Sequence, residues 1–391
     1  MHWIFSFLIL ASIWFLIYIL GRYFKLDERY GWTLGPLFLL IRTKRFNKFI
    51  ERLAKKHARF WILFGNVSIV FGFLCMLASF AALLYSLTIT LLPNSPVEGA
   101  PTVGIIIPGV TISFKTTLYL IIPIILTMIP HELAHGVVSH ADGVELKSTG
   151  LAFFAIFFGA FVEPEEESLK KSSYWTRMRT FASGMFPNLL VGLLTLPLLF
   201  YAPAILNPFY APVDGVLIQE VIPNTPAANA GLERGMVLYS LNNTHLYNVT
   251  TFTILMNATQ PNQLIVLNTT KGTIDVRLGV HPDDDSRGYL GVYTLDYRAP
   301  KTRLAWKFFP NYFQQQLLWI VVVTFGSVLF NALPIPFLLD GDKLLAPFLF
   351  TIFKREKTAL IILDIFRFLA LALFLAVLII PIIKFGFIPI R

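Results

Sequence analysis

The sequence predicts a polytopic α-helical membrane protein of about six spans with a β-rich domain inserted between them, on three grounds. Of 391 residues, 55% are hydrophobic and only 14% charged, a balance unlike that of an ordinary soluble domain. Apolar runs of about 20 residues, the length that crosses a bilayer, recur along the chain. Across residues 210–307 they give way to short β-branched segments separated by turn residues.

The first run, Trp3–Leu20, has no Lys or Arg ahead of it, while Arg22, Lys25 and Arg29 follow. That order fits a retained span with its N-terminus outside better than a secretory signal. The next segment, Arg22–Arg59, carries Arg42, Lys44, Arg45, Lys48, Arg52, Lys55 and Lys56, and the positive-inside rule makes it cytoplasmic. A second span, Phe60–Leu84, leads outside, and Ile105–Phe114, which is β-prone, is a candidate strand of a membrane-associated sheet. The third span, Leu118–Val138, returns inward to a second basic loop, Ala141–Arg179, whose charge independently makes it cytoplasmic. A fourth span, Phe181–Leu206, leads to the insert Tyr210–Lys307 outside, and a fifth, Phe313–Leu333, brings Asp340 to the cytoplasmic side beside Lys343, Lys354, Arg355 and Lys357. The last span is Ala359–Ile383. The expected division is an N-terminal membrane region over 1–116, a membrane core in two parts over 117–209 and 308–391, and the insert over 210–307. The protein is expected in the cell membrane, in contact with lipid. A net charge of +9 does not imply a nucleic-acid partner, because the basic residues crowd at span ends. The single cysteine, Cys75, excludes an intramolecular disulfide and a cysteine-based metal site.

The chemistry sits in the third span, where His131-Glu132-Leu133-Ala134-His135 follows an almost purely apolar run. On a helix, residues four apart share a face, so His131 and His135 direct two imidazole nitrogens at one Zn²⁺ with Glu132 beside its water, the arrangement of a metalloprotease. Two histidines leave a catalytic zinc short of protein ligands, and Asp340 is the best candidate for the third. Pro334 and Pro336 break the helix ahead of it, and broken backbone at membrane depth is tolerated mainly where it lines a cavity. The competing readings are a plain turn at Asp340-Gly341-Asp342 and Asp342 as the ligand. His140 falls on another helical face and reads as a loop or interface histidine. Glu163 precedes an acidic stretch. Asp364 and Arg367, three apart, read as an ion pair within the last span. A metal-carrying transporter or channel would use the same residue types, yet no second cluster marks an exit route. A silent scaffold would not need Glu132.

Within the insert, Asn242-Asn243 and Lys271-Gly272 are turn signals between strand-like runs. Gly215–Met236, with Pro226-Ala-Ala-Asn-Ala-Gly-Leu232 followed by Gly235, resembles a PDZ domain, although Met236 stands where such domains usually have Asp. The resemblance implies a sheet edge that adds an extended peptide ligand, with a spacer or steric filter as the competing reading. Within the segment assigned outside, Asn-x-Ser/Thr sequons begin at Asn242, Asn248, Asn257 and Asn268.

The pair of distant motifs, His131-Glu132-x-x-His135 and Asn331-x-x-Pro334 followed by Leu339-Asp340-Gly341, resembles the site-2 protease family of intramembrane zinc metalloproteases. Gly184-Met-Phe-Pro-Asn188 is similar to a further family segment, with Met185 in place of a proline, and Gly159–Glu163 is similar to the archaeal and eukaryotic branch. The likeness runs roughly from Ile121 to Leu345, and a PDZ insert is common in the family. It implies one zinc held by His131, His135 and Asp340, Glu132 as general base, Asn331 holding the substrate backbone, and Gly184 and Asn188 as substrate-binding residues. It also raises a gating role for Glu163. The implied substrates are transmembrane proteins, cleaved either to release a membrane-anchored regulator or to clear signal-peptide remnants. Two departures stand out: the Asn331-to-Asp340 interval is one residue longer than usual, and Asp342-Lys343 replaces a second glycine.

Overall fold

Five helices among the described residues are long and apolar enough to cross a membrane: Ala58–Leu91, Thr116–Ala141, Tyr174–Phe200, Phe309–Asn331 and Glu356–Lys384. They belong to a computed structural model that describes residues 2–92, 112, 114–154, 157–303, 305–336 and 339–385. The first expected span is helical over His2–Tyr23, with Ala11–Tyr23 as a shorter apolar stretch among the described residues, so five spans are counted there against about six expected. The helix that carries the fourth expected span begins at Tyr174, so Arg177 and Arg179 sit on its first turns. Arg179 is stabilised there by Asp142 at 2.8 Å and Asn66 at 2.8 Å.

The chain divides into two units, residues 1–196 with 318–391, and residues 197–317. In the first, large apolar side chains such as Leu77, Leu194 and Phe368 are exposed on the spanning helices, as lipid-facing residues must be. Several hydroxyls inside these helices are satisfied locally. Ser68, Ser79 and Thr90 each donate a hydroxyl to the carbonyl four residues back, and Ser79 lies 2.7 Å from the Leu329 carbonyl as well. Ile69, Met178, Ala182, Met185, Leu344 and Leu363 close the core between the helices.

This unit also holds a four-stranded antiparallel sheet that the sequence reading missed: β1 (Thr33–Leu34), β2 (Phe38–Thr43), β3 (Leu146–Phe154) and β4 (Phe157–Pro164), in that spatial order. Leu151 pairs with Ile41 on one side and Ala160 on the other, which makes β4 the last strand of the sheet among the described residues. The strand expected at Ile105–Phe114 lies almost wholly outside the described residues, and Phe114 opens a short helix, Phe114–Tyr119. Helix Asn47–Lys56 packs Ile50 and Ala54 against Val137 of the motif helix, and Asn47 donates to the Leu146 carbonyl at the start of β3.

The second unit is β-rich. Its main sheet has the order β12-β5-β6-β8-β9, from Val292–Pro300, Tyr210–Val221, Val237–Leu241, Leu264–Thr269 and Gly272–Arg277. Strand β7 (Thr244–His245) pairs with β6, and β10 (Gly279–His281) pairs with β11 (Asp284–Tyr289). Asn242 and Asn243 both adopt left-handed backbone, which Asn tolerates, and make the tight turn from β6 to β7. Val216, Ile218, Leu238, Leu246, Ile265 and Leu267 form the core, and Met236 is buried with them. Three sequon asparagines also make structural bonds: Asn242 accepts from the Val266 N–H, Asn248 caps helix Val249–Asn257 through the Thr251 N–H, and Asn257 accepts from Arg287.

Candidate metal centre

His131 and His135 are buried on one face of helix Ile121–Ala141, and Asp340 is buried in the first turn of helix Asp340–Ile352. The two imidazole Nε2 atoms lie 3.1 Å apart, and Asp340 Oδ2 lies 3.1 Å from that of His131 and 3.2 Å from that of His135. A tetrahedral zinc with bonds of about 2.0–2.1 Å spaces its ligand atoms ~3.3 Å apart, so this triangle matches one face of such a shell. Two nitrogens and a carboxylate oxygen are also the donor types a catalytic zinc takes.

The helix Tyr174–Phe200 supports the histidines along one stripe. Thr180, Gly184 and Asn188 recur every fourth residue and so share a face. His135 Nδ1 donates to the Thr180 carbonyl at 2.6 Å, which leaves its Nε2 as a lone pair facing the other ligand atoms. Asn188 is fully buried, with its amide nitrogen 3.2 Å from His131 Nδ1. A Cβ on Gly184 would stand 2.2 Å from His135 Nε2 and 2.8 Å from His131 Nε2, so only glycine leaves the space where a metal fits. Gly184 and Asn188, expected to bind substrate, are packed against the His131 and His135 imidazoles.

The Asp-Gly-Asp segment is shaped by close contact. A Cβ on Gly341 would stand 2.2 Å from the Ala332 carbonyl oxygen, so the aspartate helix approaches the end of helix Phe309–Asn331 only through a glycine. Asp342 points elsewhere: Arg367 Nε and Nη2 grip its two oxygens at 2.6 Å and 2.9 Å, while Arg367 Nη1 reaches Asp364 at 3.1 Å. The expected Asp364–Arg367 pair exists, but Asp342 is the closer and more buried partner.

His131, His135, Asp340, Thr180 and Asn188 border a cavity of about 630 Å³ that is also lined by Glu132, Phe161, Asn331 and Lys343. Glu132 Oε2 accepts the Val162 N–H of strand β4 at 3.0 Å. Asn331 donates to Ser327 Oγ at 3.3 Å, and Lys343 Nζ rests 5.1 Å over the Phe181 ring. His140 is apart from the group and meets the Val144 carbonyl. Glu163 also lines the cavity, with Lys147 at 2.7 Å, Ser148 at 2.7 Å and Arg42 at 3.7 Å. Burial alone would raise its carboxyl, but the Lys147 and Ser148 hydrogen bonds and the charges of Lys147 and Arg42 outweigh it and hold Glu163 below the usual carboxylate range. Thr180, Val162 and Ser327 were not singled out from the sequence. The first two act through backbone, which leaves no side-chain signal, whereas Ser327 stands one turn before Asn331 and was readable.

The sequence model of peptidase family M50 matches residues 119–374, well over half the chain. An uncharacterized protein of Methanocaldococcus jannaschii is 28% identical over 257 residues, covering 64% of this chain and 62% of that protein. A membrane-bound transcription factor site-2 protease homolog of Arabidopsis thaliana is 25% identical over 134 residues, covering 34% of this chain and 26% of its own. The matched part is thus under two thirds of either relative. A PDZ domain of an SdrC-like protein from Listeria monocytogenes aligns with 21% of this chain and 87% of its own at 19% identity and a TM-score of 0.19.

Proposed function

Because this chain belongs to peptidase family M50, we propose that it is an intramembrane zinc metalloprotease that hydrolyses peptide bonds in or near the transmembrane segments of membrane-anchored proteins. The observation that carries this reading is the convergence of His131, His135 and Asp340 to within 4.8 Å of one another, with Glu132 bordering the same cavity. His131, His135 and Asp340 would hold the zinc, which when bound supplies an activated water and a Lewis acid for the scissile carbonyl.

The chain's own groups supply the rest. Glu132 has one oxygen tied to Val162, so Oε1 is the atom free to take a proton from water and return it to the leaving amine. A helical substrate hides its carbonyls in hydrogen bonds and must open into an extended segment before attack. Strand β4, the last strand of its sheet among the described residues, would supply an edge for such a segment beside the cavity. Two of its edge donors are already engaged, Val162 by Glu132 and Ala160 by Met128 Sδ. A substrate strand pairing with β4 would take over both, so docking would also free Glu132 Oε2. The position of Asn331 at the cavity wall supports a role in donating to a substrate carbonyl.

The name of the Arabidopsis relative supports release of a membrane-anchored regulator as the cellular use. The charge of 22–59 and 141–179 supports a cytoplasmic location for both segments and an outer location for 210–307, where a PDZ-like domain would select or exclude substrates. Single cysteines placed in these segments in a Cys75→Ser background report the sidedness. The catalytic reading is tested by trapping: Glu132→Gln should retain metal and bind single-span substrates without cleaving them. Cleavage at the wild-type rate by that variant would overturn it.

A further inference from the structure

His131 has an imidazole whose second nitrogen must be accounted for. If Nε2 is to face a metal, its proton has to sit on Nδ1 and be accepted by something. The neighbour of Nδ1 is the Asn188 carboxamide, 3.2 Å away, on a side chain with no exposure. With the amide nitrogen turned to His131, Nδ1 would be the acceptor and the ring proton would lie on Nε2. That places it among His135 Nε2 and Asp340 Oδ2, 3.1 Å from each, where no metal would then fit. In the same orientation Asn188 Oδ1 is buried without a hydrogen-bond partner.

Resting on the metal reading above, we infer that Asn188 is a positioning residue of the metal centre, its carboxamide oxygen accepting from His131 Nδ1–H and so aiming Nε2 at the metal. A half-turn of the amide exchanges its two ends with little change in shape. The oxygen then also meets Ser327 Oγ, 3.2 Å from the amide, as an acceptor for the hydroxyl proton. Ser327 Oγ remains free to accept from Asn331 Nδ2 at 3.3 Å. Donors and acceptors alternate along this chain: Asn331 donates to Ser327, Ser327 donates to Asn188, and His131 donates to Asn188. The amide nitrogen takes the unpartnered position, a smaller cost than a proton among the ligand atoms. Asn188 thus does for His131 what the Thr180 carbonyl does for His135, from the same stripe of the same helix. The chain also links the ligand to Asn331 at the cavity wall.

The experiment uses full-length protein in detergent, with zinc affinity measured by chelator competition and the ligand field by the visible spectrum of the Co²⁺ form. Asn188→Leu should weaken zinc by about 10–100-fold, the usual cost of losing a group that orients a ligand histidine. Asn188→Asp keeps the oxygen and cannot donate through an ionised carboxylate, so it should bind zinc at least as tightly as the parent and preserve the Co²⁺ spectrum. Ser327→Ala should fall between. An Asp variant as weak as the Leu variant, or a Leu variant unchanged in affinity, would overturn the assignment. Absence of zinc from both the parent and Glu132→Gln would instead sink the metal reading on which it rests.

Discussion

The insert, 197–317, buries Val216, Ile218, Leu238, Leu246, Ile265 and Leu267 in an apolar core, whereas the membrane unit gives its most enclosed positions to Thr180, Ser183, Asn188 and Thr324 alongside its apolar side chains. The contrast follows from the solvent. In water, removing apolar surface drives folding, so the interior of a small domain is apolar. In a bilayer, exchanging lipid for protein around a leucine gains little, and helices are held by close packing of small residues and by hydrogen bonds between polar ones. Polar groups at that depth are costly and mark function. Part of this buried polar set meets the candidate ligands: the Thr180 carbonyl and the Asn188 amide touch the two histidines, and Gly184 makes room between them, while the hydroxyls of Thr180, Ser183 and Thr324 donate to nearby backbone carbonyls. Buried polar groups of the insert, such as Thr225, Thr259 and Thr269, also bond to nearby backbone carbonyls, but among the described residues they gather around no cluster like His131, His135 and Asp340.

If that contrast is right, changes of similar size have opposite consequences in the two units. The largest effect is expected from Gly184→Ala, one added methyl group set 2.2 Å from His135 Nε2. It should abolish metal binding while circular dichroism shows helix content unchanged; a zinc-replete variant would break the comparison. Glu132→Gln should lower cleavage of a single-span substrate by about 10²–10⁴-fold with zinc content unaltered, because it removes the base and leaves the ligands. In the insert, Leu238→Ala deletes a fully buried side chain, with an expected cost of about 2–5 kcal/mol. Limited proteolysis of the full chain should then cut faster within 197–317 while zinc stays at the wild-type level. Loss of zinc in that variant would mean the two cores are not independent.

The smallest effect concerns Glu163. Its folded-state pKa is depressed, so its contribution to stability is present above its unfolded value of about 4.3 and is lost as pH falls through the folded value. The side chain is partly exposed, so the contribution is roughly 1 kcal/mol or less. The thermal midpoint of wild type should exceed that of Glu163→Gln at pH 7, and the gap should shrink as the pH is lowered below about 4.3. A gap that widens on acidification would reverse the sign.

The same contrast explains what could be read in the sequence. His131, Glu132 and His135 were legible because four-residue spacing is a property of one helix, and Asp340 because two prolines announced broken backbone ahead of it. Asn242-Asn243 declared its turn by residue type. Contacts between distant segments were not legible. Arg367 was assigned to Asp364, three residues away, yet its stronger grip is on Asp342 in another helix. The sheet was missed because β2 and β3 are far apart in sequence and sit in segments whose basic residues had marked them only as loops. Gly184 and Asn188 were found as residues, but their place against the imidazoles depends on how two helices meet.

The most direct test of the central claim, that the polar core of the membrane unit is a hydrolytic metal site, is elemental analysis of the purified full-length protein and of His131→Ala, His135→Ala and Asp340→Ala. The parent should carry about one zinc per chain, as a single three-ligand catalytic site requires, and each variant should fall far below it while remaining folded. Near-stoichiometric zinc in all three variants would contradict the claim.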